Sequence, residues 1–267
     1  MDLAGKRTLL TGATGGLGRA IAVAAAERGA ELILSSRKEV ELQGLAAELP
    51  GSRHSVAVSD LAEPGAAERL AAEAGRVDVL IANAGLPGSG RLEDFSPEEV
   101  GRAVRVNLEA PMILARALLP AMSERGSGHL VFVSSLAGKA ASPRASIYNA
   151  TKFGLRGFAL ALREDLAGDD GDVGVSIVLP GFIRGAGMFA DSGASPPPGV
   201  GTATPEQVGA GVVRAIEENR GEVAVAPIQQ RALASFAHAF PGIAGRAQRG
   251  AGTKVAESLA RGQVDKR

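Results

Sequence analysis

The sequence predicts an α/β fold built on one doubly wound parallel sheet of about seven strands, with helices on both faces. Short runs of β-branched and aliphatic residues alternate with Ala-rich stretches of helical character, which is typical of a parallel sheet with crossover helices. The runs in the middle of the chain carry few polar residues, as strands covered on both faces must. The chain has 267 residues, of which 45% are hydrophobic, and this is enough for one large domain.

The first half of the chain predicts four strands and a helix after each of the first three. The strands are expected at 8–11, 31–36, 55–58 and 77–82, and the helices at 16–28, 39–49 and 64–74. A further helix is expected to begin after Ser96, because a serine N-cap, the following Pro97 and two acids in the first turn all favour a helix start. This helical region is predicted to extend to about residue 124.

The second half continues the alternation and then changes character. Strands are predicted at 129–134, 174–179 and 222–226, and helices at 148–166 and from 205 onward. Residues 181–204 are rich in Gly and Ser and contain three consecutive prolines, so we expect a loop with at most a short helix. Helical patches at 229–239 and 253–260 follow. We therefore predict a main domain over 1–228 and a C-terminal helical extension over 229–267.

Composition excludes several classes of protein. The chain has no Cys and three His, which excludes disulfides and thiolate zinc sites and predicts no metal site. Its 29 basic and 29 acidic residues cancel, so no overall field favours nucleic acid. No apolar run approaches the roughly 18 residues of a membrane span, and the N-terminus lacks the pattern of a signal peptide. We expect a cytoplasmic protein with no nucleic-acid partner and no membrane span.

A glycine-rich turn joins the first predicted strand to the first helix. Gly12, Gly16 and Gly18 have the spacing Gly-x3-Gly-x-Gly, with Thr14 and Leu17 between them. Because glycine has no side chain, a pyrophosphate can approach the N–H groups at the start of the helix, and the helix can lie close to the strand. These residues predict a dinucleotide site. A tight structural turn stays the alternative, since the spacing differs from the commoner Gly-x-Gly-x-x-Gly.

The end of the second strand indicates which dinucleotide is bound. An acid there would bind the ribose hydroxyls of NAD, but the chain has Ser36, Arg37 and Lys38. Arg37 can pair with a 2′-phosphate through a charge-assisted contact, which favours NADP over NAD. The two basic residues can also be a solvated first turn of the next helix. Asp60, after the third strand, either accepts a hydrogen bond from the adenine amino group or caps a turn.

Tyr148 is the only tyrosine in the chain and precedes Lys152 by four residues in a predicted helix. Both side chains therefore project from one helix face. The pKa of a free tyrosine is about 10, and a neighbouring ammonium would lower it. Ser135, at the end of the fifth strand, can hydrogen-bond a substrate oxygen, and Asn107 can hold a water that links Lys152 to solvent. Taken alone, Tyr-x3-Lys also occurs on ordinary helix surfaces.

Together these motifs resemble the short-chain dehydrogenases/reductases. The matching residues follow one another in the expected order over about 5–228: Thr11-Gly12-x3-Gly16-x-Gly18, Asp60-Leu61, Asn83-Ala84-Gly85, Asn107, Ser135, Tyr148-x3-Lys152 and Pro180-Gly181. The resemblance implies a Rossmann-type sheet with strand order 3-2-1-4-5-6-7. It also implies a nicotinamide cofactor and a catalytic tetrad of Asn107, Ser135, Tyr148 and Lys152.

The resemblance implies a role for each of these residues. Tyr148 exchanges a proton with the substrate oxygen, while hydride moves between the substrate carbon and the nicotinamide. Lys152 lowers the pKa of Tyr148 and holds the nicotinamide ribose, Ser135 orients the substrate oxygen, and Asn107 supports a water relay. The N–H of Ile183 holds the carboxamide. The other implied cofactor contacts are Leu61, Asn83, Ala84, Gly85, Pro180 and Gly181.

Two positions depart from the family pattern. Gly185 stands where many relatives have a cofactor-binding Thr, and Gly15 stands where many NADP-preferring relatives have a basic residue. Arg37 therefore carries the NADP prediction almost alone. The implied function is an NADP-dependent oxidoreductase acting on a ketone or secondary alcohol. The alternative is a non-catalytic dinucleotide-binding regulator or scaffold of the same fold.

The substrate pocket is expected to consist of residues 86–92, 136–144 and 182–199. Phe182, Met188 and Phe189 favour an apolar ligand, although they can equally pack this loop onto the body. The resemblance implies a homodimer or homotetramer formed through the long helices, here 110–124 and 148–166. From Arg231 onward the chain has seven basic and two acidic residues. This tail is interpreted as a solvated or subunit-docked extension, with an anionic partner as the alternative.

Overall fold

A computed structural model describes residues 1–167, 173–192 and 200–247, and these ranges contain one parallel sheet. The strands are β1 (Arg7–Thr11), β2 (Glu31–Ser36), β3 (Ser55–Val58), β4 (Val79–Ala82), β5 (Gly128–Val133), β6 (Val173–Pro180) and β7 (Glu222–Val225). Their spatial order is β3-β2-β1-β4-β5-β6-β7. The predicted fold class and the predicted strand order are both confirmed.

Helices cover both faces of the sheet. They are α1 (Gly16–Ala26), α2 (Glu39–Glu48), α3 (Ala66–Ala74), α4 (Pro97–Val104), α5 (Ala110–Glu124), α6 (Ser146–Ala167), α7 (Gly187–Asp191), α8 (Pro205–Glu217) and α9 (Ile228–Ala239). A last helical segment covers 241–247. Predicted and observed bounds agree to within two residues where both are given. The predicted patch at 253–260 and part of the predicted loop, 193–199, lie outside the described residues.

The region predicted as one helix from Pro97 to about residue 124 is divided in two. Ser96 caps α4 as predicted: its hydroxyl accepts from the Glu99 N–H at 3.2 Å, and its own N–H donates to the Glu99 carboxylate at 2.7 Å. A π-helical turn, Arg105–Glu109, then separates α4 from α5. Such turns insert an extra residue into a helix and often lie at functional sites. Asn107 lies within this one.

Successive side chains of the central strands enter two separate cores, one on each face of the sheet. Leu10 and Ile81 contribute to the core under α1, α2 and α8, whereas Leu9 and Leu80 contribute to the core under α3, α5 and α6. This alternation follows from the two-residue period of a strand. All six residues of β5 and all eight of β6 are buried, as the sequence predicted for strands covered on both faces.

The packing of α1 on α8 requires a residue without a side chain. A Cβ built at Gly209, in α8, would lie 2.6 Å from the Ala20 carbonyl oxygen and 3.0 Å from the Ala24 Cβ, both in α1. The two backbones can therefore approach one another only because Gly209 has no Cβ. Gly44, in α2, is the opposite case, since its Cβ would meet no atom within 4 Å.

The chain adds β2 and β3 on one side of β1 and then β4 to β7 on the other, so the strand order reverses between β1 and β4. These two strands are parallel neighbours although they are not consecutive in the chain. In a sheet of this kind the loops at the carboxyl ends of the strands form a crevice at the reversal point. The loops that carry the predicted site residues all leave the sheet at this edge. No helix within the described ranges is long and apolar enough to cross a bilayer.

We predict opposite effects of alanine at two helical glycines. Gly209→Ala should lower the free energy of unfolding by about 1–3 kcal/mol, because the new methyl group overpacks the contact between α1 and α8. Gly44→Ala should raise it by up to about 1 kcal/mol, since alanine has the better helix propensity and the site is open. Urea denaturation of both variants tests this. Equal stabilisation by both would contradict the close approach of the two helices.

Candidate active site

A cavity of about 830 Å³ opens at the carboxyl edge of the sheet. It is lined by the loops that follow β1 to β6 and by one face of α9. This volume lies in the range of 300–1,000 Å³ that is usual for cofactor and small-molecule sites. The cavity therefore lies where a doubly wound sheet is expected to bind its ligand.

The turn after β1 is tightly enclosed. Gly12 has a φ of +65°, and a Cβ built there would lie 2.8 Å from the Ala84 Cα. A Cβ at Gly18 would lie 2.1 Å from the Gly12 carbonyl oxygen. The following helix, α1, begins after Gly15, has no side-chain cap and carries no acid in its first turn. Uncapped N–H groups at a helix start are suited to an anion such as pyrophosphate.

The turn is fastened to the loop after β4. The N–H groups of Asn83 and Ala84 both donate to the Thr11 hydroxyl at 3.1 Å. The Asn83 side-chain amide donates to the carbonyl oxygens of Thr11 at 3.1 Å and Gly12 at 3.2 Å. The Asn83-Ala84-Gly85 segment thereby fixes the backbone of the glycine turn from the neighbouring strand.

The end of β2 supplies the cationic part of the cavity wall. Arg37 lines the cavity with its side chain 52% exposed, and its guanidinium lies 3.7 Å from the Asp60 carboxylate. The other Asp60 oxygen accepts from the Ala62 N–H at 3.0 Å, so Asp60 does cap a turn. Lys38 also lines the cavity but pairs with Glu41 at 2.7 Å. Arg37 is therefore the basic side chain better placed to meet a ligand phosphate.

Three of the predicted catalytic side chains meet between β5 and α6. The Ser135 hydroxyl is close enough to the Tyr148 phenol to lower its pKa by hydrogen bonding. Ser135 Oγ also donates to the Pro180 carbonyl at 3.4 Å. The Lys152 ammonium donates to the Val133 carbonyl at 3.1 Å and lies 5.7 Å from the centre of the Tyr148 ring. A substrate oxygen that replaced the Ser135–Tyr148 contact would meet two hydroxyl groups.

Burial controls the protonation of this cluster. It lowers the pKa of Lys152, which is 3% exposed, to about 8. It also raises the pKa of the Tyr148 phenol, and the hydrogen bond with Ser135 only partly opposes that shift. The net direction of the Tyr148 pKa is therefore upward, because burial disfavours the phenolate more than the Ser135 hydroxyl stabilises it. The Tyr148 phenol is thus protonated at neutral pH.

Asn107 is fully buried and does not line the cavity. Its side-chain oxygen accepts from the Leu86 N–H at 2.6 Å, and its amide donates to the Leu86 carbonyl at 2.9 Å and the Thr151 hydroxyl at 3.3 Å. The side chain therefore fixes the loop after β4. A Cβ at Gly85 would lie 3.5 Å from Asn107 Oδ1 and 3.7 Å from Lys152 Nζ. Asn107 and Lys152 thus both adjoin Gly85.

The loop after β6 lies across the glycine turn. A Cβ at Gly16 would lie 2.4 Å from the Ala186 Cβ. Ile183 and Ala203 form a parallel bridge. The Arg184 N–H donates to the Ala203 carbonyl at 3.0 Å, and the Ala203 N–H donates to the Phe182 carbonyl at 2.9 Å. In a parallel bridge of this kind the N–H of the middle residue points away from the partner. The Ile183 N–H is therefore directed away from Ala203, and Ile183 lines the cavity.

Helix α9 takes part in the site, which the sequence did not reveal. Gln230 is buried; its side-chain oxygen accepts from the Phe182 N–H at 3.0 Å, and its amide donates to the Gly201 carbonyl. One side chain thus holds both ends of the loop after β6. Leu233, Ala234 and Ala237 also line the cavity. These residues lie in the predicted C-terminal helical extension, and the apolar residues at helical spacing were the available signal.

The cavity brings together every predicted cofactor-binding residue and three of the four predicted catalytic ones. Those that line it are Gly12, Thr14, Gly16, Leu17, Gly18, Arg37, Asp60, Leu61, Asn83, Ala84, Gly85, Ser135, Tyr148, Lys152, Pro180, Gly181 and Ile183. Parts of the predicted substrate segments 86–92, 136–144 and 182–199 line it as well. Asn149 was not among the predicted site residues, yet its side chain holds Ala137, Ala140 and Ser142 in place beside Tyr148.

Comparisons with known proteins agree with this fold. A sequence model of the family described as short chain dehydrogenase matches residues 6–196. The protein named ketoacyl reductase HetN, from Nostoc sp., is 38% identical over 229 residues, which cover 84% of this chain and 79% of that protein. Dehydrogenase/reductase SDR family member 7B from Mus musculus is 37% identical over 186 residues, 66% of this chain but 57% of its own length.

Solved structures are similar over nearly the whole chain. A short-chain dehydrogenase/reductase from Burkholderia phymatum, in complex with NAD, has a TM-score of 0.80 at 25% identity and covers 91% of this chain and 96% of its own. A short-chain dehydrogenase from Sphingobium yanoikuyae, in complex with NADPH, has a TM-score of 0.76 at 26% identity and covers 91% of this chain and 94% of its own. The chain belongs to the short-chain dehydrogenase/reductase family of oxidoreductases.

We predict that Lys152→Met stabilises the protein near neutral pH. The pKa of Lys152 falls from 10.5 to about 8 on folding, so the buried charge weakens the fold at all pH values below about 8. The penalty disappears as the pH rises toward 10.5. After subtracting about 1 kcal/mol for the hydrogen bond to Val133, removing the ammonium should add about 2 kcal/mol to the free energy of unfolding at pH 7.

Urea denaturation at pH 7 and pH 10 measures this difference. The gain should shrink toward zero at pH 10, where Lys152 is neutral in the folded protein. A variant destabilised equally at both pH values would contradict the assignment of a buried, strained ammonium.

Proposed function

We propose that the protein is an NADP-dependent oxidoreductase that transfers hydride between the nicotinamide and a ketone or secondary alcohol, with Tyr148 as acid and base. The observation that carries the proposal is the convergence of Ser135, Tyr148 and Lys152 on the same cavity as the glycine turn. Membership of an oxidoreductase family whose solved relatives bind NAD or NADPH supports the same assignment.

The residues at the cavity fit a dinucleotide. The start of α1 has uncapped N–H groups suited to a pyrophosphate, and the adjoining wall carries Asn83, Ala84 and Gly85. The loop after β6, which contacts Gly16, would cover a ligand bound there. The outward-facing N–H of Ile183 is suited to the carboxamide. The bound nicotinamide would supply or accept the hydride. Lys152 would hold the ribose by donating hydrogen bonds from its ammonium, which is still mostly charged at pH 7 because its pKa is about 8.

The proton step follows from the burial of the phenol. Tyr148 is protonated at neutral pH, so in reduction it can give its proton to the oxygen that becomes negative as hydride reaches the carbon. Ser135 donates a second hydrogen bond to that oxygen and fixes the carbonyl. The Lys152 ammonium stabilises the phenolate that remains. Proton return from solvent would then restore the donor.

The preference for NADP rests on Arg37. Its guanidinium lines the cavity, is half exposed and makes a long 3.7 Å contact with Asp60. A 2′-phosphate at the end of β2 would offer Arg37 a second anionic partner, while the charge of Asp60 partly offsets the attraction. Solved relatives in complex with NADPH and with NADP are consistent with this preference, and one in complex with NAD leaves the alternative open.

We predict that Tyr148→Phe lowers kcat by about a hundredfold or more, because the carbonyl oxygen loses its proton donor. A screen of ketones with NADPH, followed at the nicotinamide absorbance band, identifies a substrate for the comparison. NADPH binding, measured by fluorescence, should remain within about twofold of the wild type. Retained turnover would refute the assignment. Tight NADPH binding with no turnover of any carbonyl or alcohol would instead favour a non-catalytic scaffold.

We predict that Arg37→Ala weakens NADPH binding about tenfold, a change of about 1.4 kcal/mol. NADH lacks the 2′-phosphate and serves as the internal control, so its dissociation constant should change by less than about twofold. Titration of both cofactors against wild type and variant measures the difference. Equal affinity of the wild type for NADH and NADPH would remove the argument for NADP.

A further inference from the structure

The part of the cavity wall next to α9 is strongly apolar. The loop after β6 contributes Phe182 and Phe189, whose ring centres lie 4.6 Å apart. Helix α9 contributes Leu233, Ala234 and Ala237. The polar residue that α9 adds to this wall is Gln230, and its side-chain amide is already hydrogen-bonded to Phe182 and Gly201. This side of the cavity therefore favours hydrocarbon over a polar group.

Leu233 lies at the mouth of the cavity. It lines the cavity, yet it is 56% exposed, whereas Ala234 and Ala237 are each 5% exposed. Phe236 and Phe240 follow Leu233 at intervals of three and four residues, so the three side chains share one face of the helical segment. The ring centres of Phe236 and Phe240 lie 5.2 Å apart, and both side chains are about half exposed. An apolar surface thus continues from inside the cavity to the outside along α9.

We propose that the substrate carries a long apolar chain, which leaves the cavity past Leu233 and lies along the face of Leu233, Phe236 and Phe240. The inference rests on the proposed function, since it sets the carbonyl group at Ser135 and Tyr148. Continuity decides for a substrate chain over another occupant, because the exposed face begins at a residue that already lines the cavity. The small side chains of Ala234 and Ala237 leave space for hydrocarbon next to it.

A homologous series of ketones tests the proposal. Methyl ketones with chains of increasing length, from 2-butanone to 2-dodecanone, are reduced with NADPH, and kcat/KM is measured for each. Each buried methylene contributes about 0.8 kcal/mol, so kcat/KM should rise about two- to fourfold per methylene while the chain follows the apolar face. Leu233→Ser should lower kcat/KM about tenfold for the longest ketone and less than about twofold for the shortest.

Ile228→Ser is the matched control. Ile228 belongs to the same helix and is 66% exposed, but it does not line the cavity. Ile228→Ser should leave the dependence of kcat/KM on ketone chain length unchanged. A rate that does not depend on chain length, or equal effects of the two serine variants, would overturn the proposal.

A binding measurement separates this inference from the proposed function. Two fluorescent ketones, 6-propanoyl- and 6-dodecanoyl-2-dimethylaminonaphthalene, differ only in the length of the acyl chain. The dodecanoyl probe should bind the wild type at least about tenfold more tightly than the propanoyl probe, and Leu233→Ser should remove most of that advantage. If no ketone is reduced but this pattern persists, the proposed function fails and the apolar-chain site stands.

Phe236→Ser tests the main competing occupant, a second copy of the chain. With a substrate chain on this face, the variant should weaken binding of the dodecanoyl probe and leave the mass in solution unchanged. A change in mass measured by light scattering, with unchanged preference for the longer probe, would identify a subunit contact and overturn the proposal.

Discussion

The site depends on a single buried hydroxyl that joins two strands. Thr11 Oγ1 accepts from two successive N–H groups at the end of β4, and it is 1% exposed, so water does not compete for these hydrogen bonds. The resulting close approach leaves no room for a Cβ at Gly12. The glycine turn, the start of α1 and the loop that carries Gly85 therefore hold one fixed geometry. Gly85 in turn adjoins Lys152, so this contact between the strands links the glycine turn to the cluster of Ser135, Tyr148 and Lys152.

The cluster of Ser135, Tyr148 and Lys152 consists of polar side chains in a poorly solvated environment. Burial shifts the pKa values of both Lys152 and Tyr148 toward the neutral forms of these side chains. The surrounding fold supplies the compensation: the carbonyl of Val133 receives the ammonium, and Ser134 donates to the Lys152 carbonyl at 3.1 Å. Sites of this kind commonly cost stability, because the groups needed for reaction are not those that pack best. The extensive apolar cores on both faces of the sheet provide that stability.

Features that depend on local sterics or on strand burial were predictable from the sequence. The strands of the central sheet are continuous apolar runs, and Gly18 packs against Gly12 and Ala13 of its own turn. Features that depend on distant partners were not predictable. Gln230 accepts a hydrogen bond from Phe182, which lies 48 residues away in the chain. Nothing in the sequence of α9 indicates this partner, so the helix was predicted as a solvated extension. The π turn at Asn107 adds one residue to a helix without changing its composition, and the pKa of Tyr148 depends on tertiary burial.

The two hydrogen bonds of Gln230 also bear on how such a protein can be recombined. Because Phe182 and Gly201 mark the two ends of the loop after β6, and Gln230 holds them both, α9 and this loop form one unit although the chain connects them through α8 and β7. A chimera that takes only the C-terminal segment of a relative would separate the two partners. Transfer of substrate preference between family members would then require the loop and the helix to be exchanged together.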